Sequence, residues 1–244
     1  MHQKMPTKKS KKLTFRIRNW KLALLAVIFI GIFTTLGVWQ LSRASQKQLL
    51  LKSFAQRISH HPFTAQNLSS LNDWRFYRVE LTGYFDNEHT FLLDNTIYQG
   101  KIGYEVYTPF HAQNMRTILL VDRGFVPLGT TRSILPPIRD ITETVTFIGM
   151  LNLPPLYMAL GKMNETSQTT WPLRIEFIHL PEMSNLLNAD IFPYVVNMDP
   201  HDTRAYPIEW RIVTMHPERH QGYAVQWFAL ALTLLVLFIA LNRA

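Results

Sequence analysis

The sequence predicts an α+β membrane protein. Two transmembrane helices, one at each end, flank an external, mainly antiparallel β domain, a small sheet or barrel with a short helix. Three observations predict it. Residues 22–42 and 221–242 carry no charged side chain, and a helix of about 20 residues crosses the ~30 Å hydrocarbon layer of a bilayer. The stretch between them holds no comparable apolar run and instead alternates apolar with polar residues in short segments, the pattern of half-buried strands. The net charge of +8 sits at one end: residues 1–21 contain six lysines and two arginines and no acid. The remainder is formally neutral, so the basic excess is a tail beside a hydrophobic segment and implies no nucleic-acid partner.

Taken in order, residues 1–21 form a basic tail, placed in the cytoplasm by the positive-inside rule. Residues 22–42 form the first span. The run is longer than a signal-peptide core, and "GVWQLSR" lacks a small-x-small cleavage pattern, so it reads as an uncleaved anchor. Residues 43–219 then lie outside, in the periplasm of a bacterium. The lysine-rich tail is unlike an Arg/Ser-rich transit peptide, which favours a bacterial inner membrane over a mitochondrial one. The second span covers 220–241, and 242–244 return to the cytoplasm, leaving no room for an output module. Membrane lipid is therefore a partner.

Within the external region, "SRASQKQLLLKSFAQRIS" lacks Gly and Pro and continues the first helix to about Ser59, with Pro62 ending it. Strands are predicted at 74–86, 89–96, 102–110, 116–128 and 144–152, with a less definite one at 173–180. A proline-initiated helix covers 181–189. Closing strands follow at 194–198 and 209–215. "LPPIRD" at 135–140 is a stiff connection.

Chemistry is sparse. The chain has no cysteine, which excludes thiolate metal sites. Phosphate-loop, dinucleotide, nucleophile-elbow and zinc-protease motifs are absent. His60-His61 beside Pro62 reads as a solvated helix end. His201 with Asp199 and Asp202 reads as a turn. No two acids are paired by the sequence as in a glycosidase. "VDRGFVP" at 121–127 sets Asp122, Arg123 and Gly124 inside an apolar strand, which implies a buried charge pair or a bulge. The alternative is contact with a partner protein through Arg123 and Gly124.

The informative cluster is at the outer ends of the spans. The first span ends with Gly37, Trp39, Gln40 and Arg43; the second begins with His220, Tyr223, Gln226 and Trp227. The spans run antiparallel, so these residues share one depth. His220, Tyr223 and Trp227 fall at i, i+3 and i+7, one helix face. Gly37 allows close helix approach, and Gln226 should face the partner helix, because an amide in lipid needs a partner. Interfacial aromatics and a snorkelling arginine are ordinary. A hydrogen-bonded histidine is the default reading; a histidine over aromatics also suits heme, whose iron binds imidazole and whose propionates pair with arginine.

The motifs "LGVWQLSRASQK", "YRVELTGYFD", "GKIGYEVYTPF", "LLVDRGFVP" and "ERHQGYAVQWFALAL" resemble, in this order, those of the Surfeit-locus-one family of cytochrome c oxidase assembly factors. The likeness runs from about Leu36 to Leu237. It departs at Asp122 and Phe125, where the family usually has Asn and Trp. The resemblance implies a non-enzymatic role: binding heme a and assisting its delivery to oxidase subunit I, with subunit I and heme a synthase as partners. It implies His220 as the axial iron ligand. Tyr223, Trp227 and Trp39 would line the pocket, and Gln40, Gln226 and Arg43 would set its polarity. The alternative is a scaffold that docks on nascent oxidase subunits without heme. A membrane-anchored hydrolase is a distant third.

Overall fold

The computed structural model describes residues 17, 19–68, 72–129, 131–132, 134–155, 163 and 170–242. Most of the basic tail and the last two residues lie outside these. The elements are α1 (Trp20–Ile58), β1 (Phe63–Thr64), β2 (Arg78–Phe85), β3 (Phe91–Tyr98), β4 (Lys101–Ala112), β5 (Ile118–Pro127), β6 (Val145–Asn152), β7 (Leu173–Ile175), α2 (Leu180–Leu187), β8 (Ile191–Met198) and α3 (Pro217–Asn242). They form two compact units. One comprises the chain up to Leu51 together with Val213 onward; the other is the domain Lys52–Ile212.

In the first unit, α1 and α3 are both long and apolar enough to cross a membrane. Asn19 starts α1, its side-chain oxygen accepting the Lys21 and Leu22 amides, which supplies an N-cap. One stripe of covered positions on α1 runs through Ala23, Ala26, Ile30, Phe33, Gly37, Gln40 and Ala44; on α3 one runs through Pro217, His220, Ala224, Trp227, Ala231, Leu234 and Phe238. Both series advance by alternating steps of three and four. That repeat averages 3.5 residues, the seam of a left-handed coiled coil. Small residues recur along both stripes, so the backbones approach closely.

In the domain, β2, β6, β8, β5 and β4 close into a five-stranded barrel. Its ring is antiparallel except for the parallel β5–β8 pair. β4 makes closure possible. Its 12 residues pair with β5 over nearly their whole length, while their start pairs with β3 and their end, Phe110–Ala112, pairs with β2. β1 adds to β2, and β7 to β3, both in parallel.

Alternate residues of the strands fill two main cores, with a smaller third around Leu92, Tyr104, Val106 and Val126. Leu81, Phe85, Phe110, Leu119, Val121 and Phe147 pack inside the barrel. Phe91, Leu93, Leu120 and Val195 face outward and are covered by Leu173, Ile175 and Met183 of β7 and α2. β5 is thus buried on both faces, which is why its start, residues 118–121, reads as an apolar run rather than an alternating one.

Two expectations are corrected. The strand expected at 209–215 does not form, and that segment is irregular. The pairing of β5 with β8 ends at Asp122, and the edge it leaves is occupied before residue 209 is reached. The backbone of Tyr206 and Pro207 takes part of that role, donating to Arg123 O (2.6 Å) and accepting from Phe125 N (2.9 Å) respectively. The strand expected from residue 74 begins only at Arg78. Before it the chain turns at Phe76, whose φ is 69°, with Trp74 buried against the barrel core.

Candidate functional site

The helix pair brings together part of the predicted cluster. His220 lies on the α3 stripe and is half-buried. Its Nδ1 lies 2.7 Å from Oε1 of Gln40 on α1, a hydrogen bond joining positions 180 residues apart in sequence. Among the described residues, Nε2 of His220 has no hydrogen-bond partner. Trp227, two turns further along α3, stacks on Phe33 with ring centroids 5.7 Å apart. Gly37 fits beneath Phe228: a Cβ there would stand 2.7 Å from the ring.

The remaining predicted residues flank this seam. Tyr223 and Trp39 are exposed, at 45% and 48%. Arg43 lies over the Trp39 ring at 5.5 Å and donates to Gln46 Oε1; no ion pair engages it among the described residues. Gln226 is a correction. It is exposed and does not face the partner helix, because the seam follows 220, 224, 227 and 231 and leaves position 226 on the far side. The stripe of three is likewise narrowed: His220 and Trp227 turn into the seam, whereas Tyr223 stands at its edge.

This donor set fits a heme-type ligand. One imidazole nitrogen is committed to an amide and the other is unengaged among the described residues, with aromatic rings on nearby turns and a guanidinium held by Gln46 and Trp39 rather than by an acid. A groove of the helix pair, about 580 Å³, lies at the opposite end between Leu22, Phe29, Leu234 and Phe238. Its lining contains no titratable group, so it is not part of the histidine site.

The second candidate, in the barrel wall, is not a surface. Arg123 is fully buried. It lies between the rings of Phe85 and Tyr206, 5.5 and 5.4 Å from their centroids, and donates to Arg139 O at 2.6 Å. Gly124 is buried with φ +104°, and a Cβ on it would stand 2.6 Å from Tyr206 O. The partner-contact reading of Arg123 and Gly124 is therefore corrected: both are buried, Arg123 turns toward Phe85, and the two residues hold the 206–207 segment in place.

Nor do Asp122 and Arg123 form a pair. Successive strand residues face opposite sides, and Asp122 instead accepts from Gly124 N (2.9 Å) and Asn197 Nδ2 (3.0 Å). Its carboxyl also bonds Glu105 across the β4–β5 pair, beside Tyr107, whose hydroxyl donates to Glu105 Oε2 at 3.1 Å. Burial, and then the neighbouring Glu105 charge, push Asp122 well above the usual carboxylate range. Burial also raises Glu105. These two acids were not paired by inspection of the sequence. The only signal in the sequence was an aspartate inside an apolar strand; its partner depends on the irregular β4–β5 register, which sets Tyr107 opposite Asp122 and Glu105 opposite Phe125.

The remaining histidine candidates keep their ordinary roles. His201 N bonds the Asp199 side chain in a turn, His60 packs on Tyr77 at the end of α1, and no group of three potential metal ligands occurs among the described residues.

Two helices of membrane-spanning length, joined by a histidine–amide bond, and a closed five-stranded barrel inserted between them in the chain define a membrane protein of two-helix, one-barrel organisation. The chain belongs to the SURF1 family, whose model matches residues 27–232. The SURF1-like protein of Rickettsia felis is 26% identical, over 91% of this chain and 97% of its own length. The SURF1-like protein of Monosiga brevicollis is 23% identical, over 92% and 87%. Surfeit locus protein 1 of Mus musculus is 24% identical, over 87% and 71%.

Proposed function

We propose that this chain is a non-enzymatic assembly factor for cytochrome c oxidase that holds heme a as cargo at the mouth of its helix pair and assists its delivery to subunit I. The observation that carries the reading is the His220–Gln40 bond. It places an imidazole on the seam of two apolar helices with Nδ1 occupied and Nε2 available, the arrangement of a histidine that ligates metal through one nitrogen and is oriented through the other. His220 would ligate the iron, Trp39 and Tyr223 would pack the macrocycle, and Arg43 would meet a propionate. In this reading the basic tail is cytoplasmic and the barrel periplasmic, in a bacterial inner membrane. Heme a synthase would supply the cargo.

The test is His220→Ala in full-length protein co-expressed with heme a synthase. The expected outcome is loss of the bound-heme absorbance at unchanged protein yield; unchanged heme content and spectrum would remove the ligand assignment. A second reading, a scaffold that docks on nascent oxidase subunits without heme, is favoured by one feature. Ile97 and Ile102 pair across the β3–β4 hairpin while 55% and 52% exposed, an apolar tip available to a protein partner. A heme-free wild-type protein that still co-purifies with subunit I would select it.

A further inference from the structure

Gln40 is out of place on its helix. The covered stripe of α1 around it is made of small or apolar residues, Phe33, Gly37 and Ala44, and an amide within an apolar helix pair stabilises nothing unless it is bonded. Its bond goes to His220 at 2.7 Å. Gly37 and Ala44, one turn to either side of it on the same stripe, keep the helices close at that level, and Ala224 does the same from α3. The small residues thus set the distance at which Gln40 reaches the ring.

An amide oxygen only accepts hydrogen bonds. A neutral imidazole bonded to it through Nδ1 must carry its proton there, so its lone pair is on Nε2. We propose that Gln40 is the positioning residue of His220: it fixes the Nδ1–H tautomer, holds the ring plane, and makes Nε2 the ligating atom. This rests on the heme reading for its purpose but not for its geometry. An acceptor on the far nitrogen of a ligating histidine raises ligand basicity, and removing such a partner typically costs 10- to 100-fold in affinity. Gln40 therefore acts through His220 and not by touching the cargo.

The experiment has two arms on full-length protein in detergent. In the first, long-range ¹H–¹⁵N correlation of histidine-labelled, heme-free protein at pH 8 reads the tautomer, with His220 assigned from its loss in His220→Ala. The wild type should show Nδ1–H, and Gln40→Leu should lose that preference. An Nε2–H wild type, or a tautomer that Gln40→Leu leaves unchanged, overturns the proposal. In the second arm, heme a is titrated into each protein and the iron potential measured. Gln40→Leu should bind about 10- to 100-fold more weakly and shift the potential positive. Gln40→Glu, which restores an acceptor, should recover affinity and shift it negative. Equal affinity and equal potential in all three proteins also overturn it. A wild type that takes up no heme at all defeats the functional reading instead, and the first arm still decides the role of Gln40.

Discussion

At Asp122 the barrel wall holds a proton that the unfolded chain would not. Free aspartate and glutamate titrate near 3.9 and 4.3. In the fold, burial and the Glu105 charge raise Asp122, and burial raises Glu105. Above about pH 4 the unfolded chain releases both protons while the native chain retains at least one. The native state then binds more protons, so stability falls as pH rises until the raised native pKa is passed. The slope is up to about 1.4 kcal/mol per pH unit for each proton retained. The groups facing Asp122 are Glu105, Asn197 and the Gly124 amide; Tyr107 and Arg211 act on Glu105. Asp122→Asn keeps the neutral form, can still accept from Gly124 N and can donate to Glu105. The Asn197 oxygen, which has no partner among the described residues, can turn toward the new amide. Urea midpoints should therefore fall with pH in the wild type and vary less in Asp122→Asn; parallel profiles would show that the pair does not retain the proton. Beside it, Gly124→Ala should lose about 2–4 kcal/mol, because it adds left-handed strain to a clash with the Tyr206 carbonyl. A midpoint shift smaller than 1 kcal/mol would mean that the 206–207 segment yields easily. The sequence displayed Gly124 as anomalous because glycine in an apolar strand is conspicuous. It could not display the Glu105–Asp122 pair, which depends on strand register.

At the scale of elements, charge-free runs of membrane length located the two spans and alternation located most of the strands, and α1 runs to Ile58, one residue short of the expected Ser59. Legibility failed where a pattern needed a neighbour. The 209–215 segment alternates like a strand, but Pro207 and Pro217 bracket it and the free groups of β5 beyond Asp122 are taken by Tyr206 and Pro207. Gln226 failed for a related reason. It was turned toward the partner helix because an amide in lipid needs a partner, whereas the pair follows a seven-residue repeat through 220, 224, 227 and 231, and that repeat is defined only once α1 is in place. Gly37 was read correctly as a site of close approach. Gly37→Leu should push a branched side chain into Phe228, at a cost of about 1–3 kcal/mol from overpacking, and separate Gln40 from His220. In detergent this variant should melt earlier and give the His220 tautomer signature of Gln40→Leu. A wild-type signature together with wild-type melting would mean that the helices do not depend on this contact.

For the whole molecule, a small sheet or barrel was foreseeable from strand spacing, but closure was not, because it rests on three residues of β4 pairing with β2. The domain owns its core: the barrel is filled by its own strands, and its boundary reaches back into the last turns of α1. There Arg57 donates to Asp73 at 2.9 Å and Phe54 packs edge-on against Phe76 with centroids 5.7 Å apart. The Arg75 bonds, and then those of Arg57, hold Asp73 well below the usual carboxylate range against a contrary effect of burial. A fragment of residues 52–212 should therefore fold and unfold cooperatively by urea titration. One beginning at residue 60 should be weaker by about 1–3 kcal/mol, having lost an aromatic contact and a charge-assisted hydrogen bond. Neither fragment contains Gln40 or His220. Co-expressed with heme a synthase, the 52–212 fragment should purify colourless while the full-length chain carries heme. A fragment that binds heme with the full-length spectrum would move the site into the barrel and remove His220 from it.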